Sequence, residues 1–291
     1  MLSSRRFLFV GQLDEGSTGL SRKKALERIA QEVEAVSFHP WICGLSLLRR
    51  LLTNHLYLGL DMEQINEKIL EGARRFHPDI LWVEKGLHLW PETLERIRSE
   101  GCDLLIHFSP DAMRIPANQS RHYLKAISIY DVHVTTKEHE VGWLSERGAV
   151  RVEVVGKGFD PEIHKPMTFT PEERKRFDCD VGFVGHWEPY REQLLLQLWK
   201  KEYDIKIWGS WERCKRKNHP LFENSCHLVN EAYAKALCGA KINLCLLSIW
   251  AGDKVTSRSV EIPACEKFLL AERTKEHLAL FKEGVEAEFY E

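Results

Sequence analysis

The chain has 291 residues, of which 44% are hydrophobic and 29% charged, and a formal net charge of -2. That length accommodates two domains at about 100–200 residues each, and the near-neutral charge gives no global reason to expect nucleic acid or an anionic membrane as partner, so any anion site must be local. The eight cysteines form no C-x-x-C pair, which excludes the spacing of a zinc knuckle or a redox dithiol, and they read as reduced thiols.

The opening MLSSRRFLFVGQ lacks the roughly 7–15-residue apolar core of a secretory signal, and Arg49 and Arg50 interrupt the best approach to the ~18 apolar residues of a membrane span. A cytoplasmic protein without a transmembrane segment is expected. No H-E-x-x-H or comparable cluster signals a metal site.

Short apolar runs alternate with amphipathic stretches, the pattern of strand-helix units that build a parallel sheet. RFLFVGQ reads as the first strand, followed by the glycine-bearing loop DEGSTGLSR, the helix-like KKALERIAQEV and a second strand in EVEAVSFHP. Residues 44 to 75 read as helical, with Asp61, Glu63 and Gln64 at a helix start. PDILWVEKG is the next strand. PETLERIRSEG is a short helix with Pro91 in its first turn and Gly101 at its end. DLLIHFSPD, YDVHVTT and VRVEVVGKGFD follow as strands, with KEHEVGWLSERG as a helix before the last of them.

After Asp160 the polar, proline-bearing PEIHKPMTFTPEERKRFD reads as a connection between domains. The cycle then restarts. CDVGFV, YDIKIWGSW, KINLCLLS, KFLLAER and VEAEFYE read as strands, and PYREQLLLQLWKK, EAYAKALCGA, VTSRSVEIPACE and HLALFKEG as helices. An N-terminal Rossmann-like domain over 1–165, a linker over 166–178 and a C-terminal Rossmann-like domain over 179–291 are expected. In such sheets ligands lie beyond the carboxyl ends of the strands, where strand order reverses. With two such domains facing one another, a ligand is expected in the cleft between them.

In the second half, Gly185 follows the strand CDVGFV, where a glycine lets the backbone approach an anion, and Arg191 carries a fork of donors suited to phosphate. The alternative is a plain strand-to-helix turn with a solvated arginine. Thr256 and Ser257 stand where they would cap a helix, Arg258 adds a full positive charge, and Glu261 lies one turn further in. Glu261 either accepts the paired hydroxyls of a ribose or pairs with Arg258 three residues back.

Trp187 and Trp211, each after a glycine-bearing strand end, are candidate base or sugar contacts, whereas Trp82 and Trp143 fall at core positions. In the first half, Asp111 in SPD is the acidic candidate at a strand end, and Glu84 and Lys85 in VEKG occupy an equivalent end. Gly16 and Gly19 mark a loop able to approach phosphates or an acceptor. G-S-T-G lacks the full G-x-G-x-x-G fingerprint, which disfavours NAD. His107 and His133 sit within strand patterns and read as core residues; His164 reads as a loop residue.

The stretches VGFVGHWEPYREQLL, IKIWGSW, AYAKALCGAKINLCL and TSRSVEIPACEKFLLAERTKEHLALFKEGVEAEFY, in this order, resemble the donor-binding domain of GT-B glycosyltransferases. The resemblance is strongest to the CgeB-like spore-maturation or glycosyltransferase family 1 group. HPDILWVEKG, HFSPDAM, YDVHVTTKEHEVGWLSERGA and GFDPEIHKP extend it into the first half. It implies a GT-B architecture and an enzyme that transfers a sugar from a nucleotide-diphosphate sugar to an unidentified acceptor, with no cofactor and no metal in the donor site.

By the same resemblance, Asp253 and Glu261, eight positions apart, fall on the acidic pair that contacts the sugar and the ribose, and His186 and Arg191 on the phosphate-clamping basic pair. Three departures from the family's pattern accompany it: Asp253 and His186 stand where a glutamate and a basic residue are usual, and Glu266 replaces the glycine that ends the helix. The family also normally continues past Phe-Tyr-Glu, which implies a second domain cut short here. A non-catalytic GT-B-like protein that keeps nucleotide or sugar binding is the alternative these departures allow.

Overall fold

The computed structural model describes residues 2–37, 44–216, 218–223 and 225–291. The chain divides into two units, Met1–Gly156 and Lys157–Glu291. Residues 166–178, expected as a linker, contain the helix Pro171–Phe177, which opens with a reciprocal capping box between Thr170 and Glu173. Its Phe177 is buried in the core of the second unit.

The first unit holds a six-stranded, all-parallel sheet in the order β2-β1-β3-β4-β5-β6. The strands are β1 (Arg6–Val10), β2 (Glu32–Val36), β3 (Ile80–Glu84), β4 (Leu104–Ser109), β5 (Val132–Thr135) and β6 (Val152–Val154). Parallel strands covered on both faces carry apolar runs rather than alternation, and Phe7 to Val10 are accordingly all buried. β2 lies at the edge, and its Glu32 and Glu34 place charge on an otherwise open row of backbone groups. The expected second strand ends at Val36, and its last three residues, 38–40, lie outside the described residues.

Residues 44 to 75 form a long helix, Leu60–Phe76, preceded by the short helix Leu47–Leu51 and a π-helical turn, Leu52–Leu56. The break falls at Tyr57, which adopts φ +53°, and at Gly59, φ +99°. Within the long helix Met62, Ile65, Ile69, Ala73 and Phe76 are buried at spacings of three and four residues, the stripe of a helix laid on a sheet. Sequence reading omitted a short helix, Arg121–Ala126, between β4 and β5, capped by Ser120.

The second unit has a five-stranded parallel sheet, β11-β10-β9-β7-β8. Its strands are β7 (Cys179–Val184), β8 (Ile205–Trp208), β9 (Ala240–Cys245), β10 (Phe268–Glu272) and β11 (Glu288–Tyr290). In each unit the first strand lies between the second and the third, so strand order reverses between β1 and β3 and again between β7 and β9. At such a switch point backbones diverge beyond the carboxyl ends of the strands, and the crevice formed there is where ligands lie in sheets of this order. Helices Pro189–Trp199, Asn230–Gly239, Arg258–Ala264 and Lys275–Leu280 complete the unit.

Seven cysteines are free; the eighth, Cys43, lies outside the described residues. No helix among the described residues is long and apolar enough to cross a membrane.

Candidate functional site

The crevice of the second unit is bounded by the turn after β7 and the loop after β9. Gly185 is held by both neighbours: its N–H donates to Trp208 O (2.9 Å), and its carbonyl accepts from Trp211 Nε1 (3.0 Å). Gly209, at φ +123°, is required where β8 turns past it, because a Cβ there would stand 2.1 Å from Gly185 O.

Arg191 is fully buried at 0% exposure. Its guanidinium donates to the carbonyls of His186 (3.0 Å) and Leu246 (3.1 Å) and pairs with Glu188 at 3.2 Å, while Glu188 also accepts from Ile249 N–H. The structure therefore gives Arg191 the work of tying the β7 turn to the β9 loop. Its donors point to protein carbonyls rather than outward.

Trp211 is likewise interior, 2% exposed and stacked on Phe222 at 4.8 Å. A ring so enclosed offers no face to a base or sugar. Trp187 sits nearer the surface, with Nε1 on Glu192 and its ring edge-on to the exposed Trp250 at 6.0 Å.

His186 is exposed at the head of the crevice, 3.5 Å from Glu188. Desolvation first, then the positive charges of Arg191 and Arg258, hold its imidazole below the usual pKa against the opposing pull of Glu188 and Asp253. These influences put His186, Arg258 and Asp253 in one neighbourhood. The Nε of Arg258 is buried and has no hydrogen-bond partner. Such a donor carries a desolvation cost that an anion would relieve.

The helix that carries Arg258 begins later than the sequence suggests, at Arg258–Ala264, and neither Thr256 nor Ser257 caps it through its side chain. Instead Ser259 Oγ accepts from Thr256 N–H (3.1 Å) and reaches His277 Nε2 (2.7 Å), while His277 Nδ1 faces Glu272 O (2.7 Å). Since the Glu272 carbonyl can only accept, Nδ1 carries the proton and Nε2 accepts from the serine. This buried relay fixes the path into the helix and left no trace in residue spacing.

Glu261, one turn on, accepts from the Tyr233 hydroxyl and lies 3.6 Å from His164 Nε2. His164 Nδ1 accepts from Asp160 N–H (2.9 Å), which leaves Nε2 as the protonated nitrogen facing the carboxylate. Desolvation and the adjacent Glu261 charge push the Tyr233 phenol well above its usual pKa, so it remains a donor. Neither partner was identifiable from sequence: Tyr233 lies 28 residues away, and His164, read as a loop residue, is in fact nearly buried.

Asp253 closes the β9 loop through its N–H to Ser248 O (3.0 Å). The second unit thus brings Gly185, His186, Asp253, Thr256, Ser257, Arg258 and Glu261 to the ends of β7, β9 and the following helix.

In the first unit the loop after β1 is shaped by Gly16, at φ +76°, and by Gly19, where a Cβ would stand 2.3 Å from Gln12 O. Glu84, at the end of β3, is held on three sides. Arg22 donates Nε and Nη2 to its two oxygens at 2.6 Å each, and Trp82 Nε1 adds a third bond at 3.0 Å. Both oxygens are engaged in a clamp whose carboxylate is 8% exposed, so Glu84 serves to hold the β3 end rather than as a free base.

Lys85 next to it adopts φ +60°, and its ammonium pairs with Asp111 across the ends of β3 and β4 at 2.5 Å. His107 supports this turn from below, with Nε2 3.0 Å from Lys85 O. His107 and His133 are core residues, as expected, and face one another through Nδ1 at 3.1 Å. Among the described residues no group of three or more His, Cys, Asp or Glu is arranged to hold a metal ion.

Residues 191–291 match the family described as glycosyl transferase-like. No curated protein sequence matches. Among solved structures, Anabaena Alr3699/HepE in complex with UDP-glucose aligns over 98% of this chain and 85% of its own, with a TM-score of 0.62 and 14% identity. A glycosyltransferase from Rickettsia africae aligns over 99% and 84%, with a TM-score of 0.61 and 12% identity. The UDP-GlcNAc 2-epimerase from Neisseria meningitidis bound to UDP-GlcNAc aligns over 98% and 87%, with a TM-score of 0.54 and 12% identity. The chain has the α/β fold that GT-B glycosyltransferases share with these epimerases, and its C-terminal third resembles the glycosyl transferase-like family.

Proposed function

We propose that the protein is a glycosyltransferase of the CgeB-like group that uses a nucleotide-diphosphate sugar as donor. The observation that carries this reading is the buried, unpartnered Nε–H of Arg258, whose charge also acts on His186, in the unit that matches a glycosyl transferase-like family. A diphosphate would accept from Arg258 and bring the negative charge this donor lacks, and the departing diphosphate of a transfer reaction is where such stabilisation counts.

Glu261, oriented by Tyr233 and His164, would accept the ribose hydroxyls, and Asp253 would stand toward the sugar. Arg191 acts as a positioning residue that holds the two loops at their spacing. The diphosphate charge is met by Arg258 rather than by a metal ion, and the seven free thiols fit a reducing, cytoplasmic compartment. In the first unit, Asp111 with Lys85 is the candidate pair for the acceptor side.

Proteins of this fold were solved with UDP-glucose and with UDP-GlcNAc, which makes uridine nucleotides the first donors to test. The experiment is release of free nucleotide diphosphate from a panel of nucleotide sugars, read with and without a chelator. Release with one donor that survives chelation and disappears in Arg258→Ala supports the reading. Binding of that donor without release favours the second reading, a nucleotide-sugar binding protein that has lost transfer. The specific observation behind this alternative is that Glu84 is clamped by Arg22 and Asp111 by Lys85.

A further inference from the structure

The function proposed above leaves unexplained one surface of the first unit. Residues 44–60, GLSLLRRLLTNHLYLGL, contain eight leucines, two arginines and no acidic residue, although Asp and Glu make up 43 of the chain's 291 residues. Burial would be the ordinary fate of such a stretch. Here six of the leucines are exposed: Leu47 at 72%, Leu48 at 69% and Leu60 at 73%, with Leu51, Leu56 and Leu58 between about two-fifths and a half. Exposed large apolar side chains are unremarkable singly, but a contiguous group marks a contact surface.

The segment is anchored rather than loose. Arg49 reaches back to Asp61 through Nε at 3.1 Å and through a second contact from Nη2, and Thr53 Oγ1 donates to Arg49 O at 2.9 Å. Because Asp61 consumes the charge of Arg49, the free positive charge falls to Arg50, which is exposed, with the ring of His55 further along.

We infer that this face docks on an anionic lipid surface. An apolar row interleaved with arginine and lacking any acid suits the boundary between acyl chains and negative headgroups. Leucines enter the hydrocarbon while the stem of Arg50 lies along it with its guanidinium at the phosphates. A second copy of this chain fits less well, because a two-fold interface apposes the same patch on both subunits and would bring arginine against arginine. The net charge of the whole chain is -2, so the attraction is local and must fade with salt. This inference does not depend on the donor site.

The test is co-sedimentation of the full chain with vesicles of pure phosphatidylcholine or of an equimolar mixture with phosphatidylglycerol, at low and at physiological salt. Binding is expected to the mixed vesicles, weaker at the higher salt and weaker still on phosphatidylcholine alone. Leu47→Ser with Leu48→Ser together, and Arg50→Glu separately, are each expected to lower partitioning about tenfold. All three positions are exposed, so the fold should persist, and circular dichroism checks this. If the leucine pair proves unstable, Arg50→Glu alone decides.

Protein left in the supernatant with mixed vesicles overturns the inference, as does binding unaffected by Arg50→Glu. A concentration-dependent dimer in sedimentation velocity that the leucine substitutions dissolve would likewise overturn it, in favour of a protein interface.

Discussion

The turn that ends the helix bearing Arg258 and Glu261 makes a quantitative prediction. Glu266 N–H donates to Pro263 O (2.8 Å) and Lys267 N–H to Ile262 O (3.2 Å), the paired bonds of a Schellman cap, and Glu266 sits at its left-handed position with φ +56°. A residue with a Cβ pays about 1–2 kcal/mol for that conformation. Glycine escapes the penalty but gives up about 0.5–1 kcal/mol of extra backbone entropy on ordering. Glu266 is exposed, so little burial is lost with its side chain, and Glu266→Gly should stabilise the C-terminal unit by about 0.5–1 kcal/mol.

Urea denaturation should show this as a raised midpoint at unchanged slope, and thermal melts as a rise of roughly 2–4 °C for each kcal/mol gained. Glu266→Ala keeps the Cβ and should stay within about 0.5 kcal/mol of the parent. A glycine variant no more stable than the alanine variant would show that the cap carries no strain.

Other predictions follow from the first unit. Desolvation and the facing His133 hold His107 down to about 3, and desolvation lowers His133 as well. In the unfolded chain both bind protons near pH 6.5, so the unfolded state gains protons that the folded state refuses, and stability should fall as pH drops from about 6.5 toward 3, by up to about 1.4 kcal/mol per pH unit for His107, with a further loss of the same sign from His133. Urea midpoints that stay flat or rise between pH 7 and 5 would mean instead that a proton is held between the two Nδ1 atoms.

Arg22→Ala should strip the Glu84 carboxylate of its clamp and destabilise the unit by about 2–4 kcal/mol, somewhat below the cost of breaking a fully buried pair because Arg22 is partly exposed. Asp111→Asn, on a half-exposed pair, should change stability by less than about 1 kcal/mol. Gly19→Ala should be clearly destabilising in the same assay, since the added carbon meets the Gln12 carbonyl.

Glu261 does not offer a clean test by substitution. Removing its carboxylate strands the Tyr233 hydroxyl, at a cost of about 1–3 kcal/mol in stability, so weaker binding by Glu261→Ala would be confounded with local disorder.

The central strands were legible because they are apolar runs, with β1 and β7 almost wholly buried, and punctuation by Pro91, Pro189 and Gly101 marked the helices between them. The short helix Arg121–Ala126 escaped because six residues do not establish a period. At the site, sequence placed His186 after a strand and Arg258 and Glu261 in the first turn of a helix but could not say which way a side chain turns. Arg191 and Trp211 sit at equally suggestive positions and yet fold inward, where carbonyls of the adjoining loops claim their donors. Tyr233, His164, Ser259 and His277 act through contacts between distant segments, and no local pattern encodes those. The glutamate at 266 was legible as a departure from a glycine position, and the backbone there does adopt the left-handed conformation.

The central claim, a nucleotide-diphosphate site at Arg258, is tested most directly by calorimetric titration of UDP, GDP, CDP, ADP and dTDP into the parent protein and into Arg258→Ala. One nucleotide should bind the parent, with or without magnesium, and bind Arg258→Ala about 10–100-fold more weakly, the loss of one charge-assisted contact to phosphate. Equal affinity of that nucleotide for both proteins would contradict the account.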